Sequence, residues 1–255
     1  MLFYRMLRSR LTYVFIGVSL IIAALGFFAT LLEGQILVEF MGAPGALDDV
    51  TYNGFTKITE ILAVNFHTIC VSAFILLFIA VDYSTGYVKN IVGYRVNKFN
   101  CCMANTLIVC VYAAIIFVIN IAFGLGFTAI FYKVAEWKGL GKFLMYLLVN
   151  FIDTVAFTQL LLFLSDVIKK NVPVMIIGLI YAMMSSLVYL LVDLLVQWAG
   201  VEDFLTQRYT ILGAALELNV LSEWGDFARM GAIGLGALIL FFILDCIVMK
   251  KREVN

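Results

Sequence analysis

The chain reads as six long apolar runs, at about 12–32, 61–81, 103–131, 143–164, 174–198 and 230–249, parted by polar breaks. A bilayer-crossing helix needs roughly 20 apolar residues, and each run reaches that length. The run at about 103–131 exceeds it, so it either tilts or protrudes at one end. A transmembrane barrel would instead show alternating segments of about ten residues, and no such alternation is visible. The pattern predicts an all-α membrane protein of six transmembrane helices, forming one domain over residues 1–255.

The polar breaks differ in character. Leu2, Phe3, Met6, Leu7 and Leu11 share one helical face, with Arg5 and Arg8 pointing elsewhere, as in a helix lying at the membrane interface before the first crossing. Residues 33 to about 60 are polar and turn-rich, and read as a long external connection. Ser165–Pro173 reads as a short inner turn. Residues 199–228 mix charges with the run Ile211–Leu216, which is too short to cross and suits a re-entrant or interfacial hairpin.

The break at 82–98, Asp82-Tyr-Ser-Thr-Gly-Tyr-Val-Lys-Asn-Ile-Val-Gly-Tyr-Arg-Val-Asn-Lys98, has a pattern of its own. Asp82, Ser84 or Thr85 is a suitable cap for a helix start. Val88, Ile91, Val92 and Arg95 follow at helical spacing, with Lys89 and Asn90 on the other side, and Gly93 is a plausible end. The segment therefore reads as a short amphipathic helix at the membrane surface.

Composition agrees with the pattern: 64% of residues are hydrophobic, 13% are charged, and mean hydropathy is +1.06. A soluble domain carries about 25% charge. Formal net charge is zero, which gives no footprint for nucleic acid. Its distribution is more informative. Eleven basic residues (Arg5, Arg8, Arg10, Lys89, Arg95, Lys98, Lys169, Lys170, Lys250, Lys251, Arg252) fall on one side of the predicted membrane. Six (Lys57, Lys133, Lys138, Lys142, Arg208, Arg229) fall on the other. The excess of Lys and Arg marks the cytoplasmic side, so both termini are expected inside a multi-pass protein of the plasma membrane. The five cysteines lie in or near apolar runs without metal spacing and read as reduced thiols. Pro44 and Pro173 fall in connections.

No nucleophile–base set, metal-ligand spacing or phosphate-cradling loop is present; Gly141-Lys142 is followed by Phe143. His67 in the second run and Asp153 in the fourth are candidates for a translocation path. A charge at mid-bilayer costs on the order of 3 kcal/mol on insertion scales. The plainer reading of His67 is a helix-to-helix hydrogen bond, and that of Asp153 is an acid bonded within the bundle. Asp193 and Asp245 are near enough to span ends to reach an interface. Gly231, Gly234, Gly236 and Ala237 would allow close helix approach.

The segment 82–98, following the second run, resembles the permease subunit of type-2 ABC transporters. The residues carrying the resemblance are Asp82-Tyr83, Ser84-Thr85, Gly86, Tyr87-Val88, Lys89 and Asn90, then Val96, Asn97 and Lys98. Tyr87 stands where that family usually has Thr, and Arg95 where it usually has Pro. The plan of an interfacial helix, six spans, an inner first loop and an outer hairpin between the last two spans is similar to that family too. The resemblance implies that 82–98 is a cytoplasmic coupling helix docking on a separate ATP-hydrolysing subunit. Asp82, Tyr83, Gly86, Tyr87, Val88, Lys89, Ile91, Val92 and Arg95 would then form or frame the docking surface. It implies a working unit of two permeases and two ATPases. ATP and Mg would sit on the ATPase, and this chain would bind no cofactor and have no ATPase motif of its own. The implied activity is export of an amphipathic or apolar cargo, a peptide first, with a lipid or drug also compatible. The alternative is a proton-coupled secondary transporter using Asp153 and His67. On the orientation read here, an impermeant thiol label applied to intact cells should react with Lys133→Cys but not with Lys89→Cys; the reverse result would invert the topology.

Overall fold

The computed structural model describes residues 2–40, 52–63, 65–84, 98–131, 134–199 and 205–251. They form α1 (Leu2–Arg8), α2 (Arg10–Phe40), α3 (Gly54–Leu62), α4 (Phe66–Ser84), α5 (Lys98–Phe131), α6 (Leu140–Ile168), α7 (Asn171–Trp198), a 3-10 turn (Thr206–Tyr209), α8 (Gly213–Glu217) and α9 (Trp224–Lys251). Two short strands, β1 (Tyr52–Asn53) and β2 (Val134–Glu136), pair in parallel. The protein is an all-α membrane protein apart from that small bridge. Among the described residues, five helices are long and apolar enough to cross a bilayer. The sixth apolar helix, α4, carries a shorter apolar stretch, Phe66–Val81.

Side-chain pairs fix how the helices run. Thr68 bonds Thr154 at 2.8 Å and Ser72 bonds Thr158 at 3.0 Å, so residue numbers rise together along α4 and α6 and the two are parallel. Gly231 faces Val149 and Gly234 faces Asp153, which makes α9 parallel to α6 as well. Thr106 bonds Gln159 while Phe117 meets Phe151, and Tyr181 meets Phe157 while Gly178 meets Leu161, so α5 and α7 run against α6. Asn120 donates to Ser19 at 2.7 Å and Phe127 packs on Phe27, so α2 runs with α5. The set α2, α5, α7 thus opposes the set α4, α6, α9. The central helix is α6, the most buried of the long apolar helices, and its most extensive packing is with α9.

One end of the bundle gathers α1, the ends of α4, α6 and α9, and the starts of α2, α5 and α7. Asn171 Nδ2 donates to the Leu76 carbonyl at 3.2 Å, the Arg5 guanidinium lies 5.7 Å from the Phe78 ring centre, and Phe99 meets Phe242. The opposite end is closed by packed connections. Phe55 stacks on Phe143 at 4.6 Å, the Tyr146 hydroxyl donates to the Thr59 carbonyl at 3.1 Å, and Phe55, Ile58, Leu218, Val220 and Phe227 join one apolar cluster there.

Several boundaries differ from those read in the sequence. The helix of the first run continues to Phe40, through a stretch expected to be loop; no proline interrupts it before Pro44. The second run does not begin a single helix at 61. It is broken between α3 and α4, where Asn65 takes a left-handed backbone (φ 59°), a conformation that Asn tolerates better than most residues. Asp82, Tyr83 and Ser84 lie in the last turn of α4, and the helix start that Asp82 or Ser84 was expected to cap lies outside the described residues. Lys98, the last residue of the 82–98 segment, opens α5. Pro173 is inside the first turn of α7, where a missing N–H removes no intrahelical bond. The last helix begins at Trp224, a turn and a half before the apolar run, and Asp226 pairs with Arg229 at 3.0 Å in its polar start.

Helix α7 presses on α6 at Gly178, where a β-carbon would sit 2.6 Å from Leu161 Cδ1; Gly126 has nothing within 4 Å. We expect Gly178→Val to destabilise the folded chain by about 1–3 kcal/mol, read as a lowered thermal unfolding midpoint in detergent. Gly126→Ala should change it by less than about 1 kcal/mol.

Candidate functional site

The sequence directs attention to two places, the connection between α4 and α5 and the polar residues within the bundle. Of the first, Asp82 and Tyr83 end α4, while Gly86, Tyr87, Val88, Lys89, Ile91, Val92 and Arg95 lie outside the described residues. Their attachment points are described. The end of α4 and the start of α5 both stand at the end of the bundle that holds α1 and the last turns of α9. Arg5, Arg8, Arg10, Lys169, Lys170 and Lys250 belong to that same end.

Within the bundle, α4 and α6 carry polar residues one turn apart on facing surfaces. Thr68 and Ser72 meet Thr154 and Thr158, and Thr158 also donates to the Thr154 carbonyl at 2.8 Å. Hydroxyls that bond across a helix pair need no water, which is what an apolar surrounding requires. Below this ladder Gln159 joins three helices. Its Oε1 accepts from Thr106 of α5 at 3.0 Å, and its Nε2 donates to Asp245 Oδ2 of α9 at 2.9 Å. Above it, Asn65 Nδ2 donates to the Leu212 carbonyl at 3.3 Å, tying the break before α4 to the connection leading into α8.

His67 and Asp153 immediately precede the partners Thr68 and Thr154, so they stand at one level of the bundle. They do not meet. In two parallel helices that face each other through 68 and 154, stepping back one residue turns both side chains by the same angle in the same sense. On facing surfaces that sends them to opposite flanks. His67 goes toward α5, where its ring meets the Phe117 ring edge-on at 4.6 Å. Asp153 goes toward α9, where its Oδ1 occupies the space that a β-carbon on Gly234 would need. Both residues are buried, 4% and 5% exposed, and His67 Nε2 and Asp153 Oδ1 have no hydrogen-bond partner among the described residues. The helix-to-helix hydrogen bond expected of His67 is therefore not formed at Nε2. Asp153 is likewise not bonded by its neighbour Asn150, whose amide donates to the Tyr146 carbonyl at 3.0 Å.

The other two acids differ from each other. Asp193 Oδ1 accepts from the Thr206 backbone N–H at 2.6 Å and from its hydroxyl at 2.5 Å, anchoring the 3-10 turn to the end of α7. Asp245, near the end of α9, is 2% exposed and accepts from Gln159, an acid bonded within the bundle. The sequence reading missed Gln159, Asn65 and the hydroxyl ladder. The signal for the ladder was present as Thr154 and Thr158 at i, i+4 on one apolar helix, opposite Thr68 and Ser72 at the same spacing on another. Among the described residues no group of three or more His, Cys, Asp or Glu side chains could hold a metal.

No family model, curated protein or solved structure matches the chain.

The contact of Asp153 with Gly234 gives a sharp test. Gly234→Ala should destabilise the protein by about 1–3 kcal/mol, because its β-carbon would lie 2.0 Å from Asp153 Oδ1. Asp153→Ala in the same chain should recover most of that loss. Gly231→Ala, which meets only Val149 at 3.5 Å, should be nearly neutral. Thermal unfolding of the three variants beside the parent decides it, and a Gly234→Ala chain as stable as the parent would contradict the contact.

Proposed function

We propose that this chain is the permease subunit of an ATP-driven exporter of the type-2 ABC kind. The observation that carries the reading is the segment 82–98, whose pattern resembles a coupling helix and which joins α4 to α5 at the basic end of the bundle. In this reading α4 is the sixth crossing. Its 19 residues give about 28 Å at 1.5 Å per residue, close to the roughly 30 Å of hydrocarbon. The opposed sets α2, α5, α7 and α4, α6, α9 then alternate through the bilayer with both termini in the cytoplasm. The hairpin between the last two crossings lies on the outer side, where Leu212, Ala214 and Ala215 are buried against the bundle.

Power comes from separate ATPase subunits carrying ATP and Mg, docked on Gly86, Tyr87, Val88, Lys89, Ile91 and Val92. A second permease completes the unit. Closure of the ATPases displaces the coupling segments, and the permease switches between two packed arrangements. A cargo that is amphipathic or apolar suits a bundle with few buried charges, and a peptide is the first candidate, with lipid or drug compatible. A proton-coupled transporter is the second reading, favoured by the buried, unbonded His67 Nε2 and Asp153 Oδ1.

The two readings separate on one preparation. Chain purified from its native membrane should bring an ATPase with it, and Val88→Asp should abolish that association without loss of folded protein. ATP-dependent cargo movement should survive Asp153→Asn. Transport that needs no ATPase and stops with Asp153→Asn would reject the exporter in favour of the second reading.

A further inference from the structure

The helices around Asp153 leave it on an open flank of α6. Val149 and Ile152 of α6 face α9 at Gly231 and Gly234, while Phe157 and Leu161 face α7 at Tyr181 and Gly178. Successive residues of a helix turn by about 100°. Asp153 follows Ile152 by one residue and precedes Phe157 by one turn, so it points between α9 and α7. Those two helices both pack on α6 and make no substantial contact with each other. A cleft therefore runs between them, with Asp153 at its floor. Apart from α6, only the 3-10 turn packs substantially on both helices among the described residues, and it closes the cleft at the end away from the basic one. At the level of Asp153, Met184 and Leu187 on α7 and Leu235 on α9 are exposed apolar side chains, as on surfaces that face lipid.

The polar atoms at the floor lack partners. Asp153 and Tyr189 are 5% and 3% exposed. Neither Asp153 Oδ1 nor the Tyr189 hydroxyl has a hydrogen-bond partner among the described residues. The pairs Gly178 with Leu161 and Tyr181 with Phe157 carry α7 back along α6, which brings Tyr189 close to the level of Asp153. The Tyr189 hydroxyl stands by Thr210 and Tyr181 and within electrostatic reach of the Asp153 carboxylate. A buried acceptor left unsatisfied costs about 1–3 kcal/mol, and a carboxylate deep in a membrane is retained where something pairs with it. The missing partner is a group that brings positive charge and N–H donors together.

We propose that the cleft between α7 and α9 binds an amphiphile bearing a primary ammonium group, which enters from the membrane. The ammonium donates to the Asp153 carboxylate and to the Tyr189 hydroxyl oxygen, and the apolar chain lies between α7 and α9. Three N–H donors on one centre suit two carboxylate oxygens and one hydroxyl. A metal cation shares the charge but has no use for the apolar flanks, so the ligand is organic. The site lies on a different face of α6 from the hydroxyl ladder, and its occupation requires no ATPase.

The test places the full chain in phosphatidylcholine nanodiscs, a lipid without a primary amine, and titrates it with dodecylamine at neutral pH. The thermal unfolding midpoint is the readout. Dodecylammonium should raise it saturably, and dodecanol at the same concentration should not. Asp153→Asn should raise the half-saturating concentration about tenfold, as for one lost charge-assisted hydrogen bond. Tyr189→Phe should raise it about threefold, and serves if Asp153→Asn does not fold, since it removes an oxygen that has no protein partner. Glu60→Gln, which removes an acid on α3 outside the cleft, should leave it unchanged. Dodecanol stabilising the chain equally would show a purely apolar contact and overturn the site. Sodium chloride matching dodecylammonium at equal concentration would overturn the organic ligand. Equal weakening by Glu60→Gln would show general surface attraction and overturn the assignment to Asp153. No saturable shift in the parent chain would overturn the proposal outright.

Discussion

Two hydroxyl pairs, Thr68 with Thr154 and Ser72 with Thr158, set the register on which the bundle depends. In an apolar surrounding, backbone groups are satisfied within each helix, so they cannot orient one helix against another. Dispersion alone distinguishes registers weakly when most side chains are Leu, Ile, Val and Phe. A bond between hydroxyls is worth only about 0.6 kcal/mol on average in membrane helices. Its force is directional, because a slip of one residue would break both pairs at once. With α4 and α6 held parallel, the helix between them in sequence must run the other way, and α5 does, meeting α6 at Phe117 and Phe151.

From α6 the constraint spreads outward through small residues. Gly178 lets Leu161 sit against the α7 backbone, and Gly234 lets Asp153 sit against that of α9. Gln159, one residue beyond Thr158, turns the same surface toward α5 and α9 and links Thr106 to Asp245. The ladder and the amide together link four helices in one polar seam that runs from Thr68, near the start of α4, to Gln159 and its partners on α5 and α9. In the proposed exporter a push on the 82–98 segment would reach α6 and α9 through this seam sooner than through any apolar contact.

The apolar runs marked the five long helices, because about twenty residues with at most one charge have little else to form in this composition. Their ends were another matter. Helix α5 begins at Lys98 and α9 at Trp224, both within stretches polar enough to read as loop, because a helix projecting into the headgroup region needs no apolar residues there. The break at Asn65 was hidden inside a hydrophobic run, since its cause is a left-handed backbone and a bond to Leu212, and neither leaves a mark in hydropathy. His67 and Asp153 were legible as unusual residues but not as separate ones. Their separation follows from the parallel facing of α4 and α6, which is a tertiary fact. Gln159 was illegible for the opposite reason, being an ordinary polar residue whose importance lies in having partners on two other helices.

That separation bears on the source of energy. A proton relay needs titratable groups that face a common path. Here the acid and the imidazole turn to opposite flanks, with Thr68 and Thr154 already bonded to each other between them. Asp153 is closed in by the α9 backbone at Gly234, and His67 lies against an aromatic ring. A path joining them would have to break the pair that fixes the register of the bundle. The same hydroxyls that make the fold specific thus stand in the way of a two-residue relay.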